Sequence, residues 1–165
     1  MTDASTNAPQ RSRCGFISGH EPLTEQQRRA FVDLACSEGW SEFHFGDNVG
    51  ADEDAFWLLV ESGGGGVLHA WLGATPVECR ANLAERAPEL GVVIHQRMQA
   101  VNRNLRIIDH ADVLIVAIPA SRGNRTIVQM ALRQARSRQV ERIIVIQPDG
   151  DTITELADDR HAGAA

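Results

Sequence analysis

Residues 113–118 read VLIVAI, the most apolar run of the chain. A strand without a polar side chain on either face must be covered on both, and such strands belong to parallel sheets sandwiched between helices. Residues 143–146 (IIVI) repeat the signal, and residues 14–18 (CGFIS), 42–45 (EFHF) and 67–72 (VLHAWL) give weaker versions of it. Helical periodicity fills the intervals. Ala30, Phe31, Leu34 and Ala35 make one apolar face, and Ala55, Phe56, Leu59 and Val60 a second. Residues 98–110 and 122–138 read as two further helices. Thr24 with Gln27 three residues on is a capping-box pattern, Asp52 is placed to cap the second helix, and Gly39 and the glycine run 63–66 stop the first two.

Alternating strands and helices joined by right-handed crossovers predict an α/β fold. The expected architecture is a three-layer doubly wound parallel sheet of five to six strands, in a single domain over residues 13–150. Residues 1–12 are expected to form a disordered extension, and residues 151–165 a flexible tail. Residues 92–94 suit either a brief strand or part of a long loop. The length of 165 residues is that of one domain and gives enough core to fold without a metal or disulfide staple.

The formal charge of −6 opposes broad attraction to nucleic acid, which depends on neutralising phosphates. Acidic residues dominate from Glu21 to Glu61, whereas arginines crowd residues 122–142. These are two solvated faces, complementary faces of a homo-oligomer, or in part a phosphate-binding set. Cys14, Cys36 and Cys79 show no metal-ligand spacing and no disulfide framework. Neither a signal-peptide core nor a membrane-spanning stretch is evident, so the expectation is a cytoplasmic protein without membrane association, metal or resident cofactor. Trp40, Trp57 and Trp71 suit core or subunit contacts.

Ligands of open α/β sheets bind beyond the carboxyl ends of the strands, where successive crossovers diverge. Three glycine-containing loops follow strands here: Ser18-Gly19-His20, then residues 46–52 (GDNVGAD), then residues 119–126 (PASRGNRT). Each loop alone is ordinary for an α/β connection; three at one sheet end make a candidate site. Glycines let backbone approach a ligand, and helix N-termini favour anions. Arg122 and Arg125 are candidates for bidentate phosphate contacts, with Thr126 beside them. Asp47 suits a ribose hydroxyl or a loop-holding role; His20 suits stacking, proton transfer or a plain hydrogen bond. Asp112 suits a turn-fixing role, and Arg103 and Asn104 either face the pocket mouth or solvent.

Several of these segments resemble one family. GDNVGAD is similar to the HGD-x-x-GAD motif of the SLOG superfamily, named after the SMF/DprA and Lonely Guy proteins. FISGHEPLT (16–24), RNLRIIDHADVLIVAIP (103–119) and RGNRTIVQMA (122–131) resemble the motifs of its small stand-alone YspA-like and DUF2493-like members. The resemblance spans residues 14–146 and implies a Rossmann-like sheet with a pocket for nucleotides, nucleosides or their derivatives. Matched position by position, it implies a pocket of Ser18, Gly19, His20, Gly46, Asp47, Gly50, Asp52, Arg103, Asn104, Pro119, Gly123 and Asn124. Glu21 departs from the family's arginine, and Asn124 from its threonine. The glutamate of the Lonely Guy phosphoribohydrolases is met by Ile127, or by Gln129 with a two-residue shift.

Three functions follow. The first is binding or sensing of a nucleotide- or nucleoside-derived small molecule, in a chain that forms a homo-oligomer. The second is N-glycosidase or nucleotide phosphoribohydrolase activity, with Asp47, Asp52 or Glu21 supplying the missing acid. The third is single-stranded DNA binding, as the SMF/DprA branch suggests, against which the net acidity counts.

Overall fold

The structure, a computed structural model, describes residues 12–64 and 66–162. Six strands run parallel: β1 (Arg13–Ile17), β2 (Glu42–Gly46), β3 (Val67–Gly73), β4 (Val93–Met98), β5 (Val113–Ala117) and β6 (Arg142–Ile146). β7 (Thr152–Leu156) closes one edge antiparallel to β6. The order β4-β3-β2-β1-β5-β6-β7 is doubly wound: the chain steps outward from β1 to β4, crosses back to β5, and steps the other way. The Rossmann-like α/β class is as expected, with seven strands in place of five to six.

Alternation along the strands divides the core. Phe16, Phe43, Phe45 and Ile115 face a cluster with Phe31 and Ala35 of α1 (Glu25–Glu38), Phe56 and Leu59 of α2 (Ala51–Glu61), and Leu83 of α3 (Leu83–Arg86). Ile17, Leu114, Val116, Ile143 and Val145 face the opposite way, toward Ile107 and Ile108 of α4 (Ala100–His110) and Val128, Ala131 and Leu132 of α5 (Arg125–Ser137). Neighbouring residues of one strand thus serve different layers, as period-two geometry requires. A Cβ on Gly15 would crowd Ile107 and Ala111, so glycine there lets α4 lie close on the sheet.

The first helix begins as its sequence predicts. Gln27 N–H donates to Thr24 Oγ1 and Thr24 N–H to Gln27 Oε1, both at 3.1 Å, completing the capping box, and Gly39 ends the helix at φ 62°. The second does not. Gly50, at φ 104°, holds the N-cap position of α2, and Asp52 lies inside the first turn.

Three other elements differ from expectation. Residues 93–98 make a full edge strand, taking Met98 from the helix expected at 98–110. Residues 122–124 form a 3-10 turn before α5 begins at Arg125. Beyond residue 150, where a tail is expected, β7 and α6 (Ala157–Ala162) continue the fold. The N-terminal extension, apart from Ser12, lies outside the described residues. No described helix is long and apolar enough to cross a membrane.

Candidate functional site

The three loops that follow β1, β2 and β5 meet at one rim. A Cβ on Gly19 would strike Pro119 Cγ and stand 3.1 Å from Asn124 Cβ, so the first loop lies directly on the third. A Cβ on Gly50 would run into the His20 carbonyl, so the first loop also lies on the second. Ser18 Oγ donates to the Ala117 carbonyl at 2.8 Å. Gln27, a buried amide, donates to the Ile118 and Ile146 carbonyls at 2.8 and 3.3 Å and ties the ends of β5 and β6 to α1.

Glu21 spans the switch point between β1 and β5. Its carboxylate accepts from Ser121 N–H at 3.1 Å, from Asn124 Nδ2 at 2.8 Å, and from the Ser121 hydroxyl. Those bonds hold its carboxyl below the ordinary range, the Ser121 hydroxyl contributing most. Glu21 thus has a local use: its carboxylate sits on the hydrogen-bond donors at the start of the third loop. Arg125 is occupied as well, donating to the Pro119 and Ala120 carbonyls at 3.1 and 3.3 Å. Arg122, Gly123 and Thr126 are exposed beside it.

The polar residues of the second loop divide into two groups. Asp47 is buried, but its carboxylate accepts from Leu83 N–H at 3.1 Å and from Arg80 Nη2 at 3.3 Å. It therefore anchors the crossover between β3 and β4, and the pairing of Asn48 with Arg80 strengthens that anchor. Asp52 points elsewhere. It is 6% exposed and accepts from the backbone and side chain of Asn48, whose Oδ1 accepts in turn from Thr75 Oγ1 at 3.3 Å. Burial raises its carboxyl above the ordinary value, while Arg103 and the Asn48 donors pull the other way.

Arg103 comes from the first turn of α4 and is 5% exposed. Nε and Nη2 both reach Asn104 Oδ1 at 3.4 Å, a long contact, and Nη1 is buried with no hydrogen-bond partner among the described residues. That Nη1 stands 3.1 Å from where a Cβ would be on Gly46 and also on Gly73, at the ends of β2 and β3. Asp52 Oδ2 crowds the same Gly46 position. The two glycines leave room for a buried cation and a buried carboxylate to approach over bare backbone. A donor without a partner in such a place costs about 1–3 kcal/mol, more when charged.

Arg80 and Gly73 were not among the residues expected at the site. Both belong to the stretch 73–97, whose 3-10 turns and four-residue helix leave no periodic signal to read. Three of the six arginines in residues 122–142 are ion-paired within the chain: Arg136 with Glu155 at 2.6 Å, Arg138 with Asp109, and Arg142 with Glu38. A groove of about 490 Å³ runs along α4, between Met98, Asn102, Leu105 and Arg106 on one side and Arg138 on the other. Compared with known proteins, the chain matches no family model and no curated sequence.

Proposed function

We propose that the chain binds a nucleotide- or nucleoside-derived small molecule at the rim over Gly46 and Gly73, in the manner of a SLOG-type Rossmann-like domain. The observation that carries this reading is the buried, unpartnered Nη1 of Arg103 facing the carboxyl ends of β2 and β3. Ligands of doubly wound sheets sit at that end, and a charged donor held there without a partner is satisfied by an anionic or hydroxyl oxygen of the guest. Asp52 beside it supplies an acceptor for a ribose hydroxyl or a base N–H. The motifs at residues 46–52 and 103–119 support the same assignment.

Thermal-shift screening of a nucleotide and nucleoside panel, followed by calorimetry on the hits, tests the reading. Binding should be lost in Arg103→Met and retained in Gly123→Ala. A panel that leaves the melting temperature unmoved would reject it.

A second reading, cleavage of an N-glycosidic bond, rests on Asp52. All three acid candidates accept from the chain's own donors; Asp52 is the one that is buried with its carboxyl raised by that burial, as a general acid requires. It predicts release of free base from nucleoside monophosphates, abolished in Asp52→Asn.

A further inference from the structure

A second group of polar side chains lies on the α4 face of the sheet, apart from the rim. It comprises Glu42 and His44 of β2, His69 and Trp71 of β3, His95 of β4 and His110 at the end of α4. The His44 and His69 rings stack at 4.3 Å and 13°, and Trp71 and His95 stack at 3.7 Å and 7°. His110 approaches both His44 and Trp71, at 5.2 and 5.1 Å. Four of the six histidines of the chain therefore sit in one contiguous cluster.

Hydrogen bonding fixes where the protons are. An indole N–H only donates, so His44 Nδ1, 3.2 Å from Trp71 Nε1, is an acceptor. The His44 proton is then on Nε2, which donates to Glu42 Oε2 at 2.8 Å. His69 Nε2 also faces Glu42 Oε2, at 3.8 Å. With its proton directed there, His69 Nδ1 accepts from His95 Nε2 at 3.1 Å. In this arrangement His44, His69 and His95 each carry one proton, and the His44 and His69 N–H groups point toward a single carboxylate.

Glu42, His44 and His69 bring three donor atoms within 4.8 Å, which raises the question of a metal ion. The geometry answers against it. In stacked, nearly parallel rings, a cation in the plane of one imidazole stands over the face of the other, and the lone pairs do not converge. The atom His44 would offer is also the one that must carry its proton while Trp71 donates to the other nitrogen.

We propose that this cluster is a proton-responsive latch, which holds β3, β4 and the end of α4 together while its imidazoles are neutral and loosens the β3–β4 edge on acidification. A proton added at His44 Nδ1 opposes the Trp71 N–H, and protonation of both His69 and His95 replaces their N–H···N bond with two facing donors. The charges around the cluster do not offset this. Glu42 is its one carboxylate; Arg13 at the start of β1 and Asp112 before β5 are paired with each other at 2.7 Å, and His110 adds a further basic ring from α4. Burial already holds His44 down to about 4, and His69 and His95 are lowered for the same first reason. Groups lowered on folding contribute stability above their unfolded values near 6.5, and that contribution is lost as pH falls, down to about 4 for His44.

The test is hydrogen exchange and thermal melting of the full chain between about pH 8 and about pH 5. Amides of residues 93–98 should lose protection about tenfold more than those of β5 on acidification, and the melting temperature should fall. His95→Gln keeps a neutral donor toward His69 Nδ1, so it should fold at high pH and show a shallower decline. Histidine titration by NMR in the unmodified chain gives a readout that needs no variant, with His44 expected to titrate below the others. Equal pH dependence of His95→Gln and the parent, exchange of β4 in step with β5, or a rise in melting temperature with one equivalent of zinc would each overturn the proposal.

Discussion

Arg103 Nη1 and Asp52 Oδ2 crowd the same point above Gly46, one brought by the first turn of α4 and the other by the first turn of α2. The Arg103 charge pulls the Asp52 carboxyl down against the rise that burial causes, so removing one leaves the other buried with less relief. Arg103→Met and Asp52→Asn should each destabilise the fold, and the double variant by less than the sum. A double-mutant cycle by urea denaturation should give a coupling of about 1–3 kcal/mol. Additive effects would show that the two side chains do not sense each other.

The glycines of the rim are not equivalent. Gly50→Ala meets the His20 carbonyl at a backbone φ of 104°, so it carries both a clash with main chain and conformational strain. A loss of about 2–4 kcal/mol is expected there. Gly123→Ala meets nothing within 4 Å and should be neutral or slightly stabilising. Gly46→Ala should lie between them in stability, because it displaces side-chain ends, but should abolish ligand binding by pushing Arg103 and Asp52 aside. Denaturation midpoints and calorimetry on the three variants separate these outcomes.

Thr24 serves two partners, the Gln27 N–H of the capping box and, through its own hydroxyl proton, the Pro148 carbonyl at 2.7 Å. Thr24→Ala should cost about 1–2 kcal/mol, with Thr24→Ser recovering most of it. An alanine variant as stable as the parent would remove the cap from the account of how α1 begins.

Asp112 accepts from the backbone N–H and guanidinium of Arg13, which hold its carboxyl below the ordinary value. Its contribution is therefore present above the unfolded value near 3.8 and is lost as pH falls below it. Asp112→Asn should reduce the melting temperature at neutral pH, and the difference from the parent should shrink below about pH 4. A difference that stays constant with pH would mean that shape, not charge, carries the effect.

The elements legible in the sequence are those that bury a whole face. β5 is apolar throughout and β6 is apolar after its opening Arg142, and α1 carries its cap and its stop at the expected residues. β4 is obscure because it is an edge strand: Val93 and Ile94 are both exposed, on opposite faces, so no alternation marks it. β7 is exposed in the same way and lies in a polar, aspartate-rich stretch. At the rim, loop membership was readable but side-chain direction was not. Asp47 and Asp52 look alike in the string GDNVGAD, yet one binds the crossover and the other turns toward Arg103, which depends on where Leu83 and Arg80 return in space.

The antiparallel course of β7 has a practical side. Ser12 bonds to Ser41 at the start of β2, and Ala157 bonds to Glu141 at the start of β6, so the chain enters and leaves the sheet at the pole opposite the glycine loops. Tethering the protein to a sensor surface by either route turns those loops outward, toward whatever flows past.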